Sequence, residues 1–173
     1  MRHSLWDAIG PVRVRGLPVK WVRPEALHLT LKFLGEVDEV NEPSLQGALG
    51  QVADEARPVS LHIEGFGVFP DYQRPRIVWV GVAPDPALEL LQHRVEQVFA
   101  PLGFPTEARA FRPHITLGRA GRDARPRDFI GLEDALTPVT FVETVLVADV
   151  DLMQSTLQSG GAVYQVKHRG RLH

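Results

Sequence analysis

The sequence predicts an α+β protein in which strands outnumber helices. Two stretches of the 173-residue chain have helical periodicity, whereas the other ordered stretches alternate apolar and polar residues or are rich in β-branched residues. The predicted order is strand, helix, two strands, helix, strand, a loop and two further strands. Each half of the chain therefore contains one helix, which predicts a single domain over residues 1–173 built from two related lobes.

Both predicted helices carry an apolar stripe and follow a residue that can cap a helix. They cover residues 42–56 and 86–102, where apolar residues recur at every third or fourth position. Asn41 and Asp85 precede them and are the expected N-caps.

The remaining ordered segments have the composition of strands. The predicted strands cover residues 27–34, 59–68, 76–83, 112–118, 141–152 and 162–168. Between the strands 112–118 and 141–152 lies a stretch without periodicity, Gly118 to Asp134, which contains Gly, Pro and the arginines 119, 122, 125 and 127. We expect an exposed basic loop there, either a solvated charge cluster or a contact for the backbone of RNA.

Composition restricts the classes of function. Nineteen basic against 21 acidic residues give a net charge of −2, so any contact with nucleic acid has to be local. The absence of cysteine excludes disulfides, thiolate zinc sites and thiol nucleophiles. No apolar run has the length of a membrane span or of a signal peptide, so we expect a cytoplasmic protein without a membrane partner.

A paired motif is the most informative feature of the chain. The segment HLTLKFLG begins at His28, and HITLGRAG begins at His114, 86 residues later. Strand alternation places His28, Thr30 and Lys32 on one face, with Leu29, Leu31 and Phe33 on the other. His114 and Thr116 likewise oppose Ile115 and Leu117. Each motif is thus expected to bury its aliphatic side chains and to present a His and a Thr to a common cleft.

Two histidines with two threonine hydroxyls suit the hydrolysis of a cyclic phosphodiester. One imidazole can take a proton from water while the other protonates the departing ribose oxygen, and either histidine could fill either role. The hydroxyls can donate hydrogen bonds to the non-bridging phosphate oxygens, where negative charge develops. Neither motif has the spacing of a metal-binding pair, so no metal is expected.

Four blocks of the sequence, taken together, resemble a known family. KWVRPEALHLTLKFLGEV (20–37), RPRIVWVGV (74–82), FRPHITLGR (111–119) and VLVADVDLMQSTLQSGGAVYQV (145–166) occur in the family's order. They are similar to the 2H phosphoesterase superfamily, and within it to the RNA 2′,3′-cyclic phosphodiesterases, also called 2′-5′ RNA ligases. A single His-x-Thr carries almost no information, but the double motif in this context is specific.

The resemblance implies a fold, a mechanism and a substrate. The fold would be bilobal with pseudo-two-fold symmetry, two antiparallel sheets flanking a central groove, helices on the outside and no cofactor. His28 would be the proton donor to the leaving 3′ oxygen, and His114 the proton acceptor that activates water. Thr30, Thr116 and Arg119 would bind phosphate. The substrate would be an RNA end or a nucleotide with a cyclic phosphate, hydrolysed to a 2′-phosphomonoester by a monomeric enzyme, with reversible 2′-5′ ligation as a further activity.

Two positions depart from this pattern. Strand alternation puts Arg119 on the face opposite His114, unless the chain leaves regular pairing at Gly118. The first 21 residues, MRHSLWDAIGPVRVRGLPVKW, contain no counterpart of the short apolar strand with which the family usually begins, and its loss would leave a sheet edge unpaired.

Other readings stay open on the sequence alone. A related enzyme acting on small cyclic nucleotides, ADP-ribose derivatives or 2′-5′ oligonucleotides would have the same core. A non-catalytic domain that binds RNA ends would need only the arginine loop and the exposed strand faces. The two histidines argue against that domain, because Arg or Lys would hold phosphate at any physiological pH.

Overall fold

The computed structural model describes residues 1–158 and 161–173, and the predicted α+β class with two antiparallel sheets is confirmed. The α-helices of this part of the chain are α1 (Arg2–Ala8), α2 (Gly10–Arg13), α3 (Glu42–Asp54), α4 (Pro86–Phe99) and α5 (Leu132–Leu136). The strands are β1 (Val19–Trp21), β2 (Val59–Phe69), β3 (Ile77–Val82), β4 (His114–Ala120), β5 (Val142–Val147), β6 (Asp149–Gln158) and β7 (Gly161–Arg171). One sheet has five strands in the order β1-β4-β3-β2-β5, and the other pairs β6 with β7.

The chain divides into two compact units, each assembled from three separate segments. The first unit consists of Met1–Leu29, His62–Ala83 and Pro113–Val145. Its core is formed by one apolar face of β3 and β4, together with apolar residues of α1, α2 and α5. The buried side chains of this core include Leu5, Ile9, Val12, Val78, Val80, Ile115, Leu117 and Leu132.

The second unit consists of Thr30–Leu61, Pro84–Arg112 and Leu146–His173. Helices α3 and α4 pack against each other, and α3 also packs on β6 and β7. The apolar stripes of both helices are buried, as their periodicity predicts, through Leu45, Leu49, Val52, Leu88, Leu91, Val95 and Phe99. Gly170 lies so close to α3 that a Cβ there would stand 2.7 Å from the Cβ of Ala53.

The predicted helix positions are confirmed, and so is one of the two predicted caps. Asp85 caps α4, since its Oδ1 accepts hydrogen bonds from the backbone N–H groups of Ala87 (2.8 Å) and Leu88 (3.1 Å). Asn41 forms no side-chain cap for α3, because it already belongs to a 3₁₀ turn, Glu39–Asn41, that leads into the helix.

The predicted strand over residues 27–34 is wrong. Only Leu29 pairs, through an isolated antiparallel bridge with Ile115, and the chain beyond it has no regular structure up to the turn at Glu39. The alternation expected beyond Leu29 is reversed as well. Phe33 is 76% exposed, whereas the side chain of Lys32 is only 4% exposed and forms an ion pair with Glu96. The ion pair with the buried Glu96 carboxylate therefore decides where Lys32 points, and the alternation of the sequence does not.

Two further segments are more ordered than the sequence predicts. Within the expected loop 118–134, β4 continues to Ala120, a 3₁₀ turn covers Pro126–Phe129, and Phe129 and Leu132 are buried. At the start of the chain, α1 and α2 bury Leu5, Ile9 and Val12, and β1 pairs with β4. In the part of the chain that the structure describes, no helix is both long and apolar enough to cross a membrane.

Candidate active site

The two His-x-Thr motifs meet through one backbone bridge. Leu29 pairs antiparallel with Ile115, the residue that follows His114. Continuing this register by one residue sets His28 opposite Thr116 and makes His114 its diagonal neighbour. Opposed Cβ atoms in antiparallel strands lie about 4.5–5.5 Å apart, and diagonal ones about 7–8 Å. The bridge therefore brings both predicted catalytic histidines to one place in the first unit.

Strands β3 and β4 decide which side chains share the histidine face. Directly opposed residues of antiparallel strands project from the same face of the sheet. The direct pairs are His114 with Gly81, Thr116 with Trp79, and Arg119 with Ile77. Along β3 these three partners alternate with the buried Val78, Val80 and Val82. His114, Thr116 and Arg119 therefore lie on one face, away from the core of the first unit.

A β-bulge explains how Arg119 joins that face. The pairing of β3 with β4 shifts register between Val78 and Trp79, so that Leu117 is an extra residue on β4. Leu117 and Gly118 are both buried in succession, and Arg119 is exposed. Strict alternation predicts that Arg119 lies on the face opposite His114. This prediction is wrong, because the bulge reverses the alternation after Thr116.

The ring of His28 is oriented by its own backbone. Its Nδ1 lies 2.8 Å from the carbonyl oxygen of Ala26. Because a carbonyl can only accept, Nδ1 donates in this hydrogen bond and carries a proton. Nε2 is then the ring nitrogen that can exchange a proton with a ligand. The 3₁₀ turn Pro24–Ala26, which comes just before, holds that carbonyl in place.

His114 lies against an aromatic pair. Its ring meets Phe69 edge to face, with ring centroids 5.1 Å apart, and Phe69 is 5.1 Å from Trp79. Trp79 lies over Gly67, where a Cβ would come within 2.4 Å of the indole ring. The close approach requires glycine at residue 67, and it keeps the aromatic pair beside the imidazole.

Thr30 opens the second unit, directly after Leu29 in the chain, and is exposed. Two residues later, Lys32 is anchored within that unit by the Glu96 carboxylate and by the carbonyl of Pro105, at 2.8 Å. Glu96 also accepts hydrogen bonds from Gln92 Nε2 (3.0 Å) and from the backbone N–H of Glu107 (3.3 Å). The segment that carries Thr30 is thus held by a buried ion pair instead of by strand pairing.

In the described residues, no three side chains of His, Cys, Asp or Glu cluster as they would to hold a metal ion. The imidazoles, hydroxyls and guanidinium brought together here are groups that can transfer protons and donate hydrogen bonds.

Comparison with known proteins decides the family. The model of the 2′-5′ RNA ligase superfamily matches residues 2–156. The chain belongs to this superfamily. Its relatives include a protein of Aeropyrum pernix, 35% identical over 153 residues that cover 87% of this chain and 84% of the relative. Another, from Methanothermobacter thermautotrophicus, is 34% identical over 148 residues, covering 84% and 78%. Both are named RNA 2′,3′-cyclic phosphodiesterase.

Solved structures of the superfamily have the same fold. The crystal structure of TT0787 from Thermus thermophilus superposes with a TM-score of 0.81 at 29% identity, covering 99% of this chain and 91% of that one. LigT of E. coli, crystallised with 3′-AMP, has a TM-score of 0.72 at 26% identity, with 96% and 91% covered.

The structure adds residues to the superfamily site that sequence reasoning missed. Phe69 and Trp79 contact the His114 ring or its neighbour, and Lys20 of β1 pairs directly with Arg119 of β4. Phe69 lies far from both motifs in the sequence, and Lys20 begins the block that contains the first motif but carried no signal of its own. Only the register of the sheet could reveal them, although the strand RPRIVWVGV did draw attention to Trp79.

Proposed function

We propose that the chain is an RNA 2′,3′-cyclic phosphodiesterase that opens a terminal cyclic phosphate to a 2′-phosphomonoester. The observation that carries the proposal is the Leu29–Ile115 bridge, which sets His28 and His114 as diagonal neighbours beside Thr116. An acid and a base about 7–8 Å apart at Cβ can flank one phosphorus atom. The names of the relatives give the substrate class.

In the proposed reaction His114 takes a proton from water as the water oxygen bonds to phosphorus. His28 gives its Nε2 proton to the 3′ oxygen as the bond from phosphorus to that oxygen breaks. The Nδ1 hydrogen bond to Ala26 supports this role, because it fixes the proton on Nδ1 and leaves Nε2 to face the ligand. The product retains phosphate on the 2′ oxygen, and one proton has passed from water to the ribose.

Negative charge grows on the non-bridging oxygens during this step. Thr116 and Arg119 share the histidine face and can donate hydrogen bonds to those oxygens, and Thr30 is proposed to do so from the first motif. These donors replace a Lewis acid, so the reaction is proposed to need no metal or other cofactor. We further propose that the enzyme works as a cytoplasmic monomer.

The same groups could run a ligation. If the 5′-hydroxyl of a second RNA replaces water, His114 takes the hydroxyl proton and His28 again protonates the 3′ oxygen. The product is a 2′-5′ phosphodiester, and the reverse reaction cleaves it. We propose this activity as the counterpart of hydrolysis, in agreement with the superfamily's name.

The test is hydrolysis of an oligoribonucleotide ending in a 2′,3′-cyclic phosphate, in the presence of EDTA. We expect full activity and a 2′-phosphate product. His28→Ala and His114→Ala should each lower turnover about 10²-fold or more. Thr116→Ala should lower it about 10- to 150-fold, the equivalent of about 1.5–3 kcal/mol for one hydrogen bond to charged oxygen. His93→Ala, at an exposed position of α4, is the matched control and should be fully active.

A substrate that does not need the acid separates the two roles. An aryl phosphodiester, whose phenolate leaves without a proton, should restore activity to His28→Ala but not to His114→Ala. Restoration of the other variant would reverse the assignment of acid and base. Loss of wild-type activity in EDTA with recovery on adding a divalent ion would contradict the metal-free mechanism.

A further inference from the structure

Two cations face each other on the sheet beside the proposed active site. Lys20 of β1 is the direct partner of Arg119 of β4, so both side chains project from the face that carries His114 and Thr116. Both are exposed, and opposed like charges destabilise a sheet. Among the described residues neither side chain has an acidic partner. An anion bound here would relieve the repulsion.

A cavity lined by two more arginines lies where β3 begins and β4 ends. It has a volume of about 280 Å³, and Arg74 and Arg76 line it together with the small residues Ala120, Gly121 and Ala124. The carbonyl oxygen of Arg76 accepts a hydrogen bond from the N–H of Ala120 at 2.9 Å, which ties the cavity to the end of β4. Within the described chain neither guanidinium forms an ion pair.

The nearby carboxylates bind backbone groups instead of the guanidinium groups of the cavity. Asp71 accepts the backbone N–H of Arg74 at 2.8 Å, and Asp128 accepts that of Arg125 at 2.8 Å. Burial, and to a lesser extent the charge of Glu133, raise the pKa of the Tyr72 hydroxyl, so this group stays neutral and adds no negative charge. Among the described residues, the guanidinium groups of Arg74 and Arg76 therefore have no carboxylate within ion-pair distance.

The spacing along β3 separates Arg76 from the reacting phosphate. His114 is opposite Gly81 and Arg119 is opposite Ile77 on one face, whereas Arg76, the next residue, starts from the other face at the end of the sheet and is exposed. At about 3.3 Å per residue, these positions are about 13 Å and 17 Å from the histidine. A cyclic mononucleotide has a single phosphate, whereas an RNA strand has one for every nucleotide.

We propose that Lys20 and Arg119 on the histidine face, and Arg76 and Arg74 at the cavity, form a cationic track that passes around the end of the sheet and binds the phosphodiester backbone of RNA on the 5′ side of the cyclic end. The proposal rests on the proposed function, and it makes the enzyme selective for RNA chains over cyclic mononucleotides. Arg119 connects the track to the active site, because it is the neighbour of Thr116 on the histidine face and lies opposite Lys20.

The test compares kcat/KM for a hexaribonucleotide ending in a 2′,3′-cyclic phosphate with kcat/KM for uridine 2′,3′-cyclic phosphate. The double variant Arg74→Gln/Arg76→Gln should lower the ratio of the two values about tenfold. It should also reduce the slope of log kcat/KM for the hexamer against log salt by about 1.4, since each lost phosphate contact on a single strand contributes about 0.7.

Arg57→Gln is the matched control. Arg57 is exposed and precedes β2. It lies away from the track, because the opposite end of β2, at Phe69, is the one that pairs with Ile77. This variant loses the same type of charge and should leave ratio and slope unchanged. If the double variant behaves like Arg57→Gln, or if the wild type treats both substrates alike, the track is refuted.

Binding distinguishes failure of the track from failure of the proposed function. The fluorescence anisotropy of a labelled hexaribonucleotide with a terminal 2′-phosphate reports the track without turnover. Weaker binding by the double variant supports the track even if no cyclic phosphate is hydrolysed, an outcome that would refute only the proposed function.

Lys20→Gln provides an independent check. Removal of the repulsion from Arg119 should raise the melting temperature of the free protein by about 1–4 °C, while the affinity for the hexamer falls. If Lys20 only stabilised the fold, its substitution would lower the melting temperature. A lower melting temperature, or unchanged affinity for the hexamer, would remove Lys20 from the track.

Discussion

At the scale of single residues, the ion pair between Lys32 and Glu96 has the largest expected effect on stability. Their side chains are 4% and 6% exposed. Lys32→Met leaves the carboxylate buried without its cation, which should reduce the free energy of unfolding by about 3–5 kcal/mol in a urea titration. The control is Lys167→Met, because Lys167 and Glu42 pair at 3.0 Å with both side chains 28% exposed, and it should lose at most about 1 kcal/mol.

The double variant Lys32→Met/Glu96→Leu should recover most of that loss, since an apolar pair replaces a buried ion pair of similar volume. If the double variant is less stable than Lys32→Met, Glu96 stabilises the unit through Gln92 and Glu107 more than through Lys32.

The proposed roles of the histidines predict a specific dependence on pH. His114 must be neutral and His28 protonated, so kcat/KM should rise with pH as the base loses its proton and then fall as the acid loses its own. The residual activity of His114→Ala should lose the acidic limb, and that of His28→Ala the alkaline limb. Because the two groups titrate as a pair, only these variants can assign the limbs. A flat wild-type profile would contradict catalysis by two histidines.

The sequence drew attention to the residues that are proposed to carry the chemistry, and gave less information about which side chains lie beside them. Two His-x-Thr motifs recur 86 residues apart, and no packing argument is needed to notice them. Lys32 was misassigned because its partner, Glu96, belongs to a helix that nothing in the local sequence connects with it. Similarly, no local pattern predicts that Lys20 opposes Arg119.

At the scale of elements, the bulge in β4 allows one strand to present His114, Thr116 and Arg119 together. Gly118 follows the extra residue and is crossed closely by β1, so a Cβ there would lie 2.5 Å from Val19 Cγ1 and 3.0 Å from the ring of Trp21. The bulge is accompanied by this close approach of β1 to β4. The alternation of apolar residues in the sequence cannot reveal the bulge. Helices were easier to predict than this strand, because their apolar stripes extend over several turns.

Gly118→Ala should therefore displace β1 and lower the free energy of unfolding by about 1–3 kcal/mol, measured by urea titration. Gly50→Ala is the control, since a Cβ at this position of α3 meets nothing within 4 Å and alanine favours the helix by up to about 1 kcal/mol. Equal stability of Gly118→Ala and the wild type would show that β1 can yield to the added methyl group without loss.

At the scale of the whole molecule, periodicity and element order predicted the α+β class and both long helices, which were expected over 42–56 and 86–102 and extend over 42–54 and 86–99. They did not predict helices in the first 13 residues, because Gly and Pro at residues 10 and 11 interrupt the periodicity there. The net charge of −2 also concealed the local concentration of cations. A charge total carries no information about which arginines a sheet brings side by side.

The border between the two units falls inside the first motif, between Leu29 and Thr30, and this has a consequence for how the protein folds. Each unit consists of three segments, so no continuous stretch of the chain forms one unit alone. The backbone bridge between the two motifs closes a loop from Leu29 to Ile115, 86 residues apart. The length-dependent part of that closure entropy is about 4 kcal/mol, and it opposes the meeting of the two motifs. Catalytic competence should therefore appear late in refolding, after α3 and α4 have formed from local contacts.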